Sequence, residues 1–99
     1  MSYELESTPT FVKWLSKLKD RSTRNRLLAR LSRLETGNFG DFKSIDTNLY
    51  ELRFFFGSGI RIYYTIKKSR VILLLAAGDK STQTQDIAKA KELLLQMEA

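Results

Sequence analysis

Glu51, Arg53, Arg61, Tyr63 and Lys80 are the side chains here whose types and spacing could do chemistry together. Glu51 and Arg53 are two apart, as are Arg61 and Tyr63. In extended chain that spacing puts each pair on one face of a sheet. Forked, permanently charged arginines suit phosphoryl oxygens, and lysine adds a point charge. Such a face can hold RNA phosphates or another polyanion, and it could also cut. RNA cleavage needs no metal: the 2′-hydroxyl attacks the adjacent phosphate in line and the 5′-oxygen leaves. An enzyme must stabilise the added negative charge, remove one proton and supply another. Arg53, Arg61 and Lys80 form a candidate cradle. Glu51, the acid on that face, is the candidate base, and Tyr63 could stack on a base or donate its phenolic proton. Each has a plainer reading too. Glu51 and Arg53 could support each other as strand neighbours, Tyr63 could be a sheet aromatic, Lys80 could solvate a loop, and Arg61 could brace the sheet.

Several chemistries are excluded. The chain has no Cys and no His, which removes disulfides, thiolates, zinc sites of Cys/His type and Ser-His-Asp triads. No cofactor or metal is expected. The longest apolar run, Val71 to Ala77, falls far short of the ~20 residues that span a bilayer. The opening MSYELEST lacks the basic and apolar regions of a signal peptide. The expectation is a cytoplasmic protein without membrane attachment.

Charge is unevenly spread. From Thr10 to Leu34 eight Lys and Arg face one acid, Asp20, a local balance of +7 within a net charge of +6. Lys13, Lys17, Arg26, Arg30 and Arg33 are the candidate nucleic-acid contacts in this segment. A basic half of this kind attracts nucleic acid, an acidic protein or an anionic membrane, unless it is a solvated helix surface.

The elements that must position these residues follow from periodicity. Residues 1–99 read as one domain with a hydrophobic fraction of 42%, enough for a modest core. Tyr3 to Glu6 can form a short strand. Thr8-Pro9 reads as an N-cap and first helical residue, and Phe11, Trp14, Leu15 and Leu18 make one apolar helix face. A second helix turns Leu27, Leu28, Leu31 and Leu34 inward and Arg26, Arg30 and Arg33 outward, ending at Gly37-Asn38. Asn38 to Thr47 reads as a loop. The period then changes to two, predicting an antiparallel meander with turns at Gly57-Ser58-Gly59 and Lys68-Ser69. The expected register sets Arg53 opposite Tyr63 and Tyr63 opposite Leu74. Glu51, Arg53, Arg61 and Tyr63 then share an accessible face. Leu52, Phe54, Ile62, Tyr64, Leu73 and Leu75 share the other, covered by a helical hairpin. Thr82-x-x-Gln85 reads as the capping box of a last helix with Ile87, Ala90, Leu94 and Met97 on its apolar stripe. The fold class is α+β.

The segments FVKWLSKLKD, RLLARLSRLETGNFGD, ELRFFFGSGIRIYY and LLLAAGDKSTQTQDIAKA, in that order, resemble the RelE/ParE superfamily of toxins from bacterial toxin–antitoxin modules. The resemblance covers nearly the whole chain and is nearest to the addiction-module killer proteins, a HigB-like subgroup. It implies a RelE-like α+β toxin neutralised by an acidic antitoxin, with its oligomeric state set through that complex. Many relatives cut mRNA on the ribosome, whereas ParE relatives poison DNA gyrase. Arg53, Arg61 and Lys80 fall where RelE-like nucleases keep basic catalytic residues, and Glu51 falls where RelE has a lysine. RelE places a functional tyrosine at the start of the last helix, where this chain has STQTQDI. The expectations are therefore a ribosome-dependent endoribonuclease, a gyrase poison, or a toxin fold that binds without chemistry.

Overall fold

The computed structural model describes residues 2–98. Strand β1 (Glu4–Ser7) is followed by helices α1 (Pro9–Ser16) and α2 (Arg21–Leu34). Strands β2 (Phe42–Asp46), β3 (Leu49–Arg53), β4 (Arg61–Lys67) and β5 (Val71–Gly78) come next, then a 3-10 turn (Lys80–Thr82) running into α3 (Gln83–Glu98). One sheet holds all five strands in the order β1-β5-β4-β3-β2. β1 lies parallel to β5, and the other pairs are antiparallel.

Local chemistry sets the helix starts. The Thr8 hydroxyl accepts from the Phe11 amide at 3.1 Å, with Pro9 at the first helical position, where a missing N–H costs nothing. Asp20 caps α2 by accepting from the Ser22 amide at 3.2 Å. Past Leu34 the chain leaves the helix through Gly37, at φ +87°.

The sheet is covered on both faces. Phe11 of α1 and Leu27, Leu31 and Leu34 of α2 pack with Leu52, Phe54, Ile62, Tyr64, Ile72 and Leu74 on one side. On the other, α3 brings Ala90, Ile87, Leu93 and Leu94 onto Leu49, Tyr63, Leu73, Leu75 and Ala76. The face expected to be open is thus roofed by α3.

Other expectations are corrected. The Asn38–Thr47 loop contains strand β2, a mostly exposed edge strand whose polar side chains hide its period-two pattern. Leu28 points outward and is 41% exposed, because the buried ridge of α2 runs Thr23, Leu27, Leu31, Leu34. The capping box lies at Asp79 rather than Thr82 and opens the 3-10 turn that runs into α3: Asp79 accepts from the Ser81 amide, and its own N–H donates to the Thr82 hydroxyl.

Register explains the change of face. Arg53 pairs with Arg61 and Glu51 with Tyr63, a two-residue shift from expectation that keeps every side chain on its face. The second hairpin differs by one residue. Its loop is Lys68-Ser69-Arg70, with φ +53° at Lys68 and +55° at Ser69, so Lys67 pairs with Val71. A one-residue slip reverses faces, and Leu73 and Leu75 therefore belong with Tyr63. A bulge follows, in which Tyr64 pairs with Leu74 and Tyr63 with Ala76, leaving Leu75 extra. The bulge brings Gly78 opposite Arg61.

Candidate functional site

The row Arg53–Arg61–Gly78 runs across three strands at one end of the sheet. Lys80 follows two residues later, and its Cγ and Cδ lie 3.0 Å from where a Cβ on Gly59 would sit. The expected cations therefore converge at the strand ends, but they are not equally available. Lys80 is exposed and has no ion-pair partner among the described residues. Arg53 has a side chain 35% exposed and an ion pair with Asp41 at 3.0 Å.

Arg61 is 7% exposed, against the expectation of an accessible side chain. Its Nη1 donates to the carbonyls of Gly59 at 3.1 Å, Ile60 at 3.2 Å and Phe54 at 3.4 Å. The guanidinium thus clamps the loop joining β3 to β4 and braces the structure through backbone carbonyls. The loop needs glycine at Gly57 (φ +64°) and Gly59 (φ +78°), where a side chain would strain the left-handed backbone.

Glu51 and Tyr63 lie on the same face, wholly buried under α3. The Gln83 amide donates to Glu51 Oε2 at 2.6 Å, and Oε1 lies 4.0 Å from Arg61 Nε. The Tyr63 hydroxyl has no hydrogen-bond partner among the described residues. Burial first, then the Glu51 and Asp86 carboxylates, push its pKa up, so it stays protonated across the working range. Neither residue reaches solvent in this arrangement, because α3 is in the way.

Gln83 and Asp41 were not singled out from sequence as site residues. Asp41 precedes an edge strand that carries no clear signal. Gln83 was legible only as a helix-start polar residue, although its amide faces the sheet.

The basic stripe of α2 divides in two. Arg30 donates to the carbonyls of Arg53, Phe39 and Asp41 and lies 4.5 Å over the Phe54 ring. Burial lowers its pKa below the ordinary arginine value. Arg30 is thus fastened between α2 and the sheet rather than free to meet a ligand. Arg26 covers the Phe56 ring at 4.1 Å and, like Arg33, Lys13 and Lys17, is exposed.

Similarity to known proteins fits this architecture. The chain is 44% identical over 93 residues to an uncharacterized protein of Haemophilus influenzae, covering 94% of each. Its fold matches a double arginine-to-alanine mutant of the E. coli toxin RelE in the free state, with a TM-score of 0.69 at 19% identity, covering 93% of this chain and 97% of that one. It also matches the intact E. coli RelBE toxin–antitoxin complex, with a TM-score of 0.60 at 18% identity over 79% of this chain and 96% of the matched chain. The fold resemblance drawn from sequence is borne out. The family described as "Phage derived protein Gp49-like (DUF891)" matches residues 13–95, from α1 to the last turns of α3. Spanning most of its length with that family's pattern, the chain belongs to the phage-derived Gp49-like family and carries the fold of the toxin RelE.

Proposed function

We propose that this chain is the toxin of a type II toxin–antitoxin module, of the HigB-like subgroup, acting in the cytoplasm by cutting mRNA on the ribosome. An acidic antitoxin would neutralise it by covering the basic side and the strand ends. The observation that carries this reading is the convergence of Arg53, Arg61 and Lys80 at one end of a RelE-like sheet. Arg53 and Lys80 meet the phosphoryl oxygens. Arg61 adds charge at the rim while holding the loop, and Glu51, fixed by Gln83, balances it. This active face is small: charge stabilisation is present, but Glu51 and Tyr63 are sealed. Orientation of the 2′-hydroxyl, a contribution of about 7–11 kcal/mol in well-oriented intramolecular reactions, then falls to the ribosome, as do taking the proton of that hydroxyl and returning one to the leaving 5′-oxygen.

A second reading, a toxin that acts by binding alone or poisons gyrase, is favoured by a specific observation. The carboxylates beside the cation row are already engaged, Asp41 with Arg53 and Glu51 with Gln83. Primer extension on mRNA after induction decides. Discrete cuts in translated messages, reproduced on programmed ribosomes with purified protein and absent from naked RNA, are the expected result. Growth arrest without cuts, with broken DNA instead, would move the assignment to gyrase.

A further inference from the structure

We propose that Phe55 is a stacking platform for a nucleobase, so that a single-stranded nucleic acid lays its backbone on the cation row and one base on this phenyl ring. The inference rests on the polyanion reading of that row and adds to it a contact that carries no charge.

Three phenylalanines stand in succession, and the fold treats them differently. Phe54 is buried with Arg30 over its ring, and Phe56 lies under Arg26. Phe55 is 78% exposed. Single exposed apolar residues are ordinary on protein surfaces, but this one sits on a loop that is held rather than loose. The Phe54 amide donates to the Ile60 carbonyl at 3.0 Å, and the Gly59 amide to the Phe56 carbonyl at 3.3 Å. Arg61 fastens the Phe54, Gly59 and Ile60 carbonyls from within. A ring displayed on a clamped loop loses little freedom when something stacks on it.

The surroundings choose the occupant. Arg53 is two residues before Phe55, Arg61 holds the loop, and Lys80 lies across Gly59. A ring on a loop that adjoins the cation row suits a base attached to a phosphate better than an apolar protein side chain. Aromatic platforms beside basic grooves are a general means of holding single strands without reading sequence.

The test uses the full chain and two short single-stranded 2′-O-methyl oligoribonucleotides, which cannot be cut by 2′-hydroxyl attack. One is intact and the other abasic at its central positions, with the same phosphates. Phe55→Ala and Phe55→Leu should each weaken the intact strand about 10-fold, within the range of a base–aromatic stack. Phe55→Trp should retain affinity, the abasic strand should be indifferent to all three, and thermal melts should be unchanged. Wild-type affinity in Phe55→Leu, or equal losses on both strands, overturns the stacking role. Loss of affinity for a co-expressed acidic protein, with oligonucleotide binding intact, would make Phe55 a protein contact and also overturns it. Lys80→Ala separates the two readings. If it weakens both strands while the Phe55 variants change nothing, the cation row stands and this inference falls. If wild type binds neither strand, both fall.

Discussion

Arg61 donates from one guanidinium nitrogen to three loop carbonyls and turns another nitrogen toward the buried carboxylate of Glu51. Its substitution therefore acts on the fold before it acts on chemistry. Arg61→Ala leaves Glu51 without its cation and frees the loop. Removing one member of a buried pair costs about 3–5 kcal/mol, and a chain of this size should lose roughly 15–25 °C of melting temperature. Toxicity should fall in step with that loss. A stable Arg61→Ala protein would contradict the bracing role. Lys80→Ala is the complementary case. Lys80 is exposed, so stability should change by less than about 0.5 kcal/mol. Cleavage should still drop about 100- to 1,000-fold if its charge meets the transition state. Tyr63 gives a further contrast. Its hydroxyl is buried and has no hydrogen-bond partner among the described residues, so Tyr63→Phe should keep stability to within about 1 kcal/mol and keep toxicity. Burial raises the pKa of both Tyr63 and Tyr64. A raised value favours the protonated form in the folded state. The corresponding stability is present below the ordinary phenol value of about 10 and is lost as pH climbs through the folded value. Alkaline melts followed by phenolate absorbance should show both ionising only as the protein unfolds.

Between elements, α2 and the sheet are joined by Arg30, whose donors reach carbonyls at the end of β3 and just before β2. Arg33, one turn on, is exposed. Alanine at each position should separate structure from surface. Arg30→Ala should cost about 2–4 kcal/mol, since charged donors to buried carbonyls contribute about 1.5–3 each and partly overlap. Arg33→Ala should be neutral to within about 0.5 kcal/mol. Denaturant melts measure both, and equal effects would show that Arg30 is not a fastening. The start of α3 is set the same way: Gln83 ties the helix to Glu51, and Gly78 leaves room for Asp86, whose carboxylate a Cβ there would meet.

For the whole molecule, charge settles what the surface can meet. Lys13 of α1 and Arg26 and Arg33 of α2 are exposed on the helices that cover one face of the sheet, while the strand-end row is partly neutralised by Asp41 and Glu51. Polyanion binding should therefore weaken steeply with salt. Combined alanine substitution of Lys13, Lys17 and Arg33 should reduce the magnitude of the log–log salt slope by about 0.7 for each phosphate contact removed. An unchanged slope would confine binding to the strand ends and leave the helical side for a protein partner. An acidic antitoxin that covers both regions should abolish oligonucleotide binding at stoichiometric ratio.

Much of this was legible along the chain because it depends on near neighbours. The cap at Thr8, the helical spacing of Leu27, Leu31 and Leu34, the change to alternation after Leu49 and the apolar run Val71–Ala77 are local patterns, and the structure keeps them. The shared face of Arg53 and Arg61 was also readable, because a two-residue error in register does not move a side chain to another face. What the sequence left undecided depends on contacts between distant segments. The number of residues in the Lys68–Arg70 loop sent Leu73 and Leu75 to the face of Tyr63. Where α3 would lie was not encoded in its own stripe, which fits either face of the sheet. Only its docking over Leu49, Tyr63 and Ala76 buried Glu51 and gave it Gln83 as a partner. Burial likewise turned Arg61 from an open cation into a clamp, because a guanidinium withdrawn from water must find acceptors, and the carbonyls of the adjoining loop were within reach.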